Sequence, residues 1–213
     1  ATVPYLFSEN FQSDEDYYQI YFYGSVGRIL RYLCFFITIF VPAGFVALLT
    51  FHKELLPTSF AISVTKLRAG VPFSPFSETL LMILVFEILK EAGVRTSQNL
   101  GHAISIVGGL VVGQAAVDAG IISTPILIVV AIGGIAGLML PRLKTAVFYL
   151  RLLFVITASL TGLWGIIVGM GILLSYILSL KSFGTDCTVS LTNLKFQSLK
   201  DTVFRAPWYS MKD

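Results

Sequence analysis

The sequence predicts an all-α, polytopic membrane protein of roughly five transmembrane helices, within a range of about four to six, flanked by short polar terminal segments. Three observations predict it. Of the 213 residues, 55% are hydrophobic and 13% charged, where a soluble domain carries roughly 25% charge. The mean hydropathy is +0.82. The apolar residues also fall in uncharged runs long enough to cross a ~30 Å hydrocarbon core. Such a chain is not a disordered tail, a disulfide-rich secreted scaffold or an ordinary soluble enzyme. The partner it implies first is the lipid bilayer.

The formal charge of +3, from 15 Lys and Arg against 12 Asp and Glu, is too small and too scattered to imply nucleic acid. Cys34 lies in an apolar run and Cys187 in a polar one, too far apart for a redox pair or a metal knuckle. The chain opens at Ala1 with neither Met nor a charged leader, so an N-terminal part is expected before it.

Residues 1–31 read as a membrane-surface lead-in, with an acidic cluster at Ser13 to Asp16 ahead of Arg28 and Arg31. The helical transmembrane domain is expected over 32–180. Its first span, Tyr32 to Phe51, is uncharged, and Pro42 and Gly44 at its centre predict a kink packed against protein. From His52 to Pro75 charges and prolines forbid a crossing, so this stretch is placed at the interface. Ser77 to Gly93 follows as a helix apolar nearly all round, with a capping-box-like start at Ser77-Glu78 and a stop at Gly93.

Ala103 to Ala119 is interrupted only by Gln114 and Asp118, and its Ser105, Gly109 and Gly113 recur every fourth residue. Ile121 to Leu140 repeats that spacing with Gly133 and Gly137. Small residues at this interval let helices approach closely. Ala146 to Leu180 is apolar over about 35 residues except for Arg151, longer than one straight crossing needs. One long, kinked element is the reading taken, with two short helices divided near Thr161-Gly162 as its rival. The tail, 181–213, is polar and holds no span. Arg28, Arg31, Arg142, Lys144 and the basic tail all prefer the cytoplasmic side, and the parity of spans stays open.

No catalytic signature is present. There is no phosphate loop, no nucleophile elbow and no zinc-binding helix motif, and His52 and His102 have no partner at ligand spacing. The protein is therefore expected to be no enzyme and to need no cofactor and no metal. The informative residues are the polar ones inside apolar runs, because a charge at the bilayer centre costs at least ~2.5 kcal/mol. Glu78, Glu87, Gln114 and Asp118 are the candidate pore or intramembrane polar groups. The plainer reading makes them structural ties or places them at headgroup depth. Arg151 either snorkels to the headgroups or pairs with an acidic residue.

The run from Pro72 to Ser123, PFSPFSETLLMILVFEILKEAGVRTSQNLGHAISIVGGLVVGQAAVDAGIIS, resembles the central signature of the GerA family of spore germination proteins. ALLTFHKELLPT at Ala47 to Thr58 is similar to the end of that family's first span. SLKSFG at Ser179 to Gly184 and RAPWYSMKD at Arg205 to Asp213 are similar to its ending. The resemblance implies an A-type subunit of a nutrient germinant receptor, or its spoVA-locus relative, in the inner membrane of the bacterial spore. It also implies a soluble N-terminal domain before residue 1, a transporter-like B subunit and a C lipoprotein as partners, and a homo-oligomer forming a nutrient-gated cation channel. The alternative is a non-conducting scaffold subunit of the same complex. Ile83, His102 and the stretch Thr185 to Asn193 depart from the family pattern.

Overall fold

The computed structural model describes residues 6–13, 15–18, 20–95, 108–109, 111–182 and 184–188. Among these the chain forms α1 (Glu15–Tyr18), α2 (Tyr21–Thr50), α3 (Thr58–Arg68), α4 (Pro75–Arg95), α5 (residues 111–118), α6 (Thr124–Leu138), α7 (Lys144–Thr161) and α8 (Leu163–Ser179). A small antiparallel hairpin follows, with β1 (Lys181–Ser182) paired to β2 (Thr185–Asp186).

Helix α2 begins at Tyr21, well before the uncharged run at Tyr32, because the arginines preceding that run are folded onto a carboxylate. Arg31 grips Asp16 through two bonds of 2.7 and 2.8 Å, and Arg28 Nε lies 3.6 Å from the same side chain. The helix therefore runs 30 residues, about 45 Å, and continues through Pro42. That proline cannot donate to the Thr38 carbonyl. Gly133 of α6 lies against the gap: a Cβ there would stand 3.2 Å from Pro42 Cγ and 3.6 Å from Thr38 O. Having only hydrogen at that position, it leaves room for the proline ring and the carbonyl.

The start of α4 corrects the expected cap. Ser74, not Ser77, is the N-cap: its Oγ accepts from the Ser77 N–H at 3.3 Å, and Pro75 occupies the first helical position, where a missing N–H costs nothing. Helix α5 ends in a Schellman turn. Gly120 takes φ 64°, its N–H donates to Val117 O, and the Ile121 N–H reaches back to Ala116 O.

The single long element expected over Ala146 to Leu180 is two helices. Gly162, at φ 67° and ψ −142°, joins them, and Gly169 of α8 sits against the ring of Phe154 of α7, so the pair folds back as an antiparallel hairpin. Only glycine takes that backbone conformation without strain.

Two ends can be defined. At the near end, where α2 begins, Arg31 Nη1 donates to Phe11 O, Arg142 Nη1 donates to Glu9 O, and the Phe7 N–H donates to Cys187 O. At the far end Glu78 meets Ser123, Gly120 meets the Gly70 carbonyl and Gly162 meets His52. Helices α2 and α7 lead outward from the near end, and α4, α6 and α8 return to it. The core is built on α2, whose Ile39, Ala43, Val46 and Ala47 pack with Ile126 and Val130 of α6 and with Phe154, Val155 and Ala158 of α7. The outside is apolar too: Leu160, Trp164, Ile135 and Ile172 are each exposed by two thirds or so. Helix α2 and the segment Pro141–Thr161 are long and apolar enough to cross a bilayer, while α6 and α8 are apolar but shorter.

Candidate functional site

Glu78 lies at the far end, 1% exposed, where three segments meet. Its Oε1 accepts from Arg68 Nη2 of α3 at 2.8 Å, and its Oε2 accepts from the Ser123 N–H at 2.9 Å and the Ser123 hydroxyl at 2.7 Å. Ser123 is the N-cap of α6, yet its own side chain caps nothing. The carboxylate of Glu78 does the capping from another helix, beside the positive end of the α6 dipole. This group is a tie between α3, α4 and α6.

Glu87 belongs to a different cluster near the opposite end of α4. Its Oε2 is 3.8 Å from Lys90 Nζ and 3.9 Å from Arg151 Nη2, and one turn on Glu91 pairs with Lys144 of α7 at 3.1 Å. Arg151 is 1% exposed, so it does not snorkel; it is held inside the bundle against Glu87.

Gln114 and Asp118 stand apart from both clusters. They lie one turn apart on α5, both exposed, and Gln114 Nε2 donates to Asp118 Oδ1 at 2.9 Å. Asp118 is the last residue of the helix, and Gln114 sits about 6 Å farther in. The structure therefore separates the four polar candidates: Glu78 and Glu87 face inward to different partners, and the α5 pair faces outward.

The small residues are placed individually. Gly109 lies against Phe86 of α4, Gly113 against Leu127 of α6, and Gly137 against Thr38 and Lys90 Nζ. With Gly133 on Pro42, the α6 pair lets α2 come close, while Gly109 and Gly113 bring α5 toward α4 and α6. Ser105 falls outside the described residues, as do His102 and the ending from Arg205 to Asp213.

Sequence reasoning missed the bond of Asp16 to Arg31, because nothing in a surface acidic cluster says which of its members turns inward. Burial works to raise the Asp16 carboxyl, but the Arg31 bond, the Ser13 N–H and the charges of Arg31 and Arg28 together hold it below the usual carboxylate range. It also missed the meeting of Lys90, Lys144 and Arg151. The seven-residue spacing from Lys144 to Arg151, which places both on one side of α7, was the available signal.

The whole chain, residues 1–213, matches the family model described as Bacillus/Clostridium GerA spore germination protein. It is 42% identical over 209 residues to spore germination protein KA of Bacillus subtilis (strain 168), covering 97% of this chain and 38% of that protein. It is 40% identical over 212 residues to the uncharacterized membrane protein YfkQ of the same organism, covering 99% and 41%. It is 38% identical to spore germination protein GerLA of Bacillus cereus, covering 99% and 43%. The chain thus spans about two fifths of the length of these relatives. No solved structure matches it. An unbroken family match, relatives sharing about two residues in five along nearly all of the chain, and an all-helical bundle with a largely apolar exterior agree: the chain belongs to the GerA family of spore germination proteins.

Proposed function

We propose that the chain is the membrane part of a germinant receptor subunit that crosses the spore's inner membrane about five times and closes with copies of itself around a cation path. The observation that carries this is the α5 pair. Gln114 and Asp118 project from the outside of a helix whose other exposed residues, Val111, Val112 and Ala115, are apolar, and an amide and a carboxylate there require water or a further chain. In a ring of copies with α5 innermost, they line a polar, negatively charged route of the kind that admits cations. The partners in this reading are the transporter-like B subunit, which takes the nutrient, and the C lipoprotein.

One observation favours the scaffold reading instead. Glu78 is wholly consumed in holding helices together, and Glu87 is occupied by two cations, so neither is left to attract an ion. Native mass spectrometry of the full-length protein in nanodiscs, followed by planar-bilayer recording, separates the two. The pore reading expects a closed ring that conducts cations, with Gln114→Leu and Asp118→Asn each lowering conductance several-fold while the ring persists. A stable monomer would sink it, and a ring that never conducts gives the scaffold.

A further inference from the structure

Arg151 is the most demanding side chain in the bundle. Its Nε, Nη1 and Nη2 are buried with no hydrogen-bond partner, and its pairing with Glu87 is long at 3.9 Å. A guanidinium withdrawn from water is tolerated when its donors are used and its charge is matched. Here the donors are unused, and the charge faces a carboxylate that it shares with Lys90.

Arg151 lines a cavity of about 20 Å³ shared with Thr38, Glu87, Lys90, Gly137 and Lys144, partly open to the outside. The space admits a single water-sized atom. Around it, among the described residues, three cations, Lys90, Lys144 and Arg151, face two carboxylates, Glu87 and Glu91, one positive charge more than negative. Lys144, the first residue of α7 and 39% exposed along its side chain, marks the mouth. Arg151 lies two turns inside, about 10 Å along the helix.

We propose that this cavity is a phosphate site, in which one oxygen of the oxyanion enters to meet Arg151 while the rest of the group stays at the mouth with Lys144. One water would accept from at most two of the donors and would leave the excess charge in place. A phosphate oxygen accepts from the guanidinium fork and cancels the charge, the match for which arginine is suited. The narrow floor and open mouth suit an oxyanion carried by something outside. Lys144 and Arg142 stand where an apolar helix meets polar surface, the depth of lipid phosphates. An anionic phospholipid headgroup is therefore the natural carrier, and free phosphate shares the chemistry. The site does not depend on whether copies of the chain close around a pore.

The test is the thermal unfolding midpoint of the full-length protein in detergent, measured with added phosphatidylglycerol, phosphatidylcholine or inorganic phosphate, for wild type, Arg151→Met and Lys144→Gln. The expected result is a rise of several degrees with phosphatidylglycerol that is lost in Arg151→Met and reduced in Lys144→Gln. Arg151→Met should not itself lower the midpoint without lipid, since it removes a buried charge with unused donors and leaves Glu87 its Lys90 partner. An Arg151-dependent rise with phosphatidylglycerol alone assigns the lipid as carrier, and one with inorganic phosphate as well assigns the free ion. No rise with either, or a rise that survives both substitutions, overturns the site and leaves only water in the cavity.

Discussion

Glu78 and Gln114 are both polar groups on apolar helices, and the chain treats them in opposite ways. Glu78 spends both oxygens on Arg68 and Ser123, whereas Gln114 bonds only one turn along its own exposed surface. That Glu78 needs compensation is legible from its place in an apolar run. Which groups supply it is not, because Arg68 and Ser123 come from segments whose meeting depends on how three helices pack. The tie has a measurable consequence. Glu78→Gln should cost about 3 kcal/mol, since it leaves Arg68 without its buried partner, and Ser123→Ala about 1 kcal/mol for the lost hydroxyl bond. The double variant should cost clearly less than the sum, because the two share one carboxylate. Unfolding in detergent with a graded denaturant reads all three, and strict additivity would show that Glu78 and Ser123 do not act together.

At the scale of elements, one boundary could be read directly. Gly120 between two apolar runs announces the end of α5, because a glycine in a left-handed turn is a local requirement, whereas α4 starts two residues before the Ser77 that the sequence suggested, with Pro75 at its first position. The break between α7 and α8 was not readable in this way. Thr161-Gly162 is followed by Gly165, Gly169 and Gly171, any of which offers a soft point. What selects Gly162 is distant: a Cβ there would stand 2.8 Å from His52 Cε1 and 3.1 Å from Phe51 Cβ, at the end of α2. Its backbone conformation adds a second barrier to any other residue. Gly162→Ala should therefore destabilise by about 1–3 kcal/mol. Gly171→Ala is the control: it has open space around it within a helix and should gain about 0.5–1 kcal/mol. Thermal melts of the two variants beside wild type test the hairpin, and equal effects of like sign would remove the case for a special turn at Gly162.

At the scale of the molecule, all-α class and an apolar exterior followed from composition, while the relation of the two chain ends did not. An odd number of crossings conflicted with basic residues at both ends of the apolar region. The α7–α8 hairpin returns the described part of the chain to the near end, where residues 6–13 meet Cys187. That meeting is anchored by Asp16, whose carboxyl is held below the usual carboxylate range by its arginines. A depressed folded value stabilises docking in full above the ordinary Asp value, about 3.9, and the stabilisation fades as pH falls through the lower folded value. Amide exchange of residues 6–13, corrected for its intrinsic pH dependence, should thus be slow and steady from neutrality to about pH 5 and quicken in stronger acid. Asp16→Asn should exchange fast even at neutral pH, and protection unchanged in both proteins would show that the pair does not hold the segment. The same segment has a mechanical side. Phe7 is bonded to the chain beyond α8, Glu9 to Arg142 before α7, and Phe11 to Arg31 on α2. A displacement along it therefore loads three separate parts of the bundle in parallel. Parallel bonds share a force where bonds in series yield one after another, so a pull on these few residues tilts the bundle as one body before it peels any single helix away.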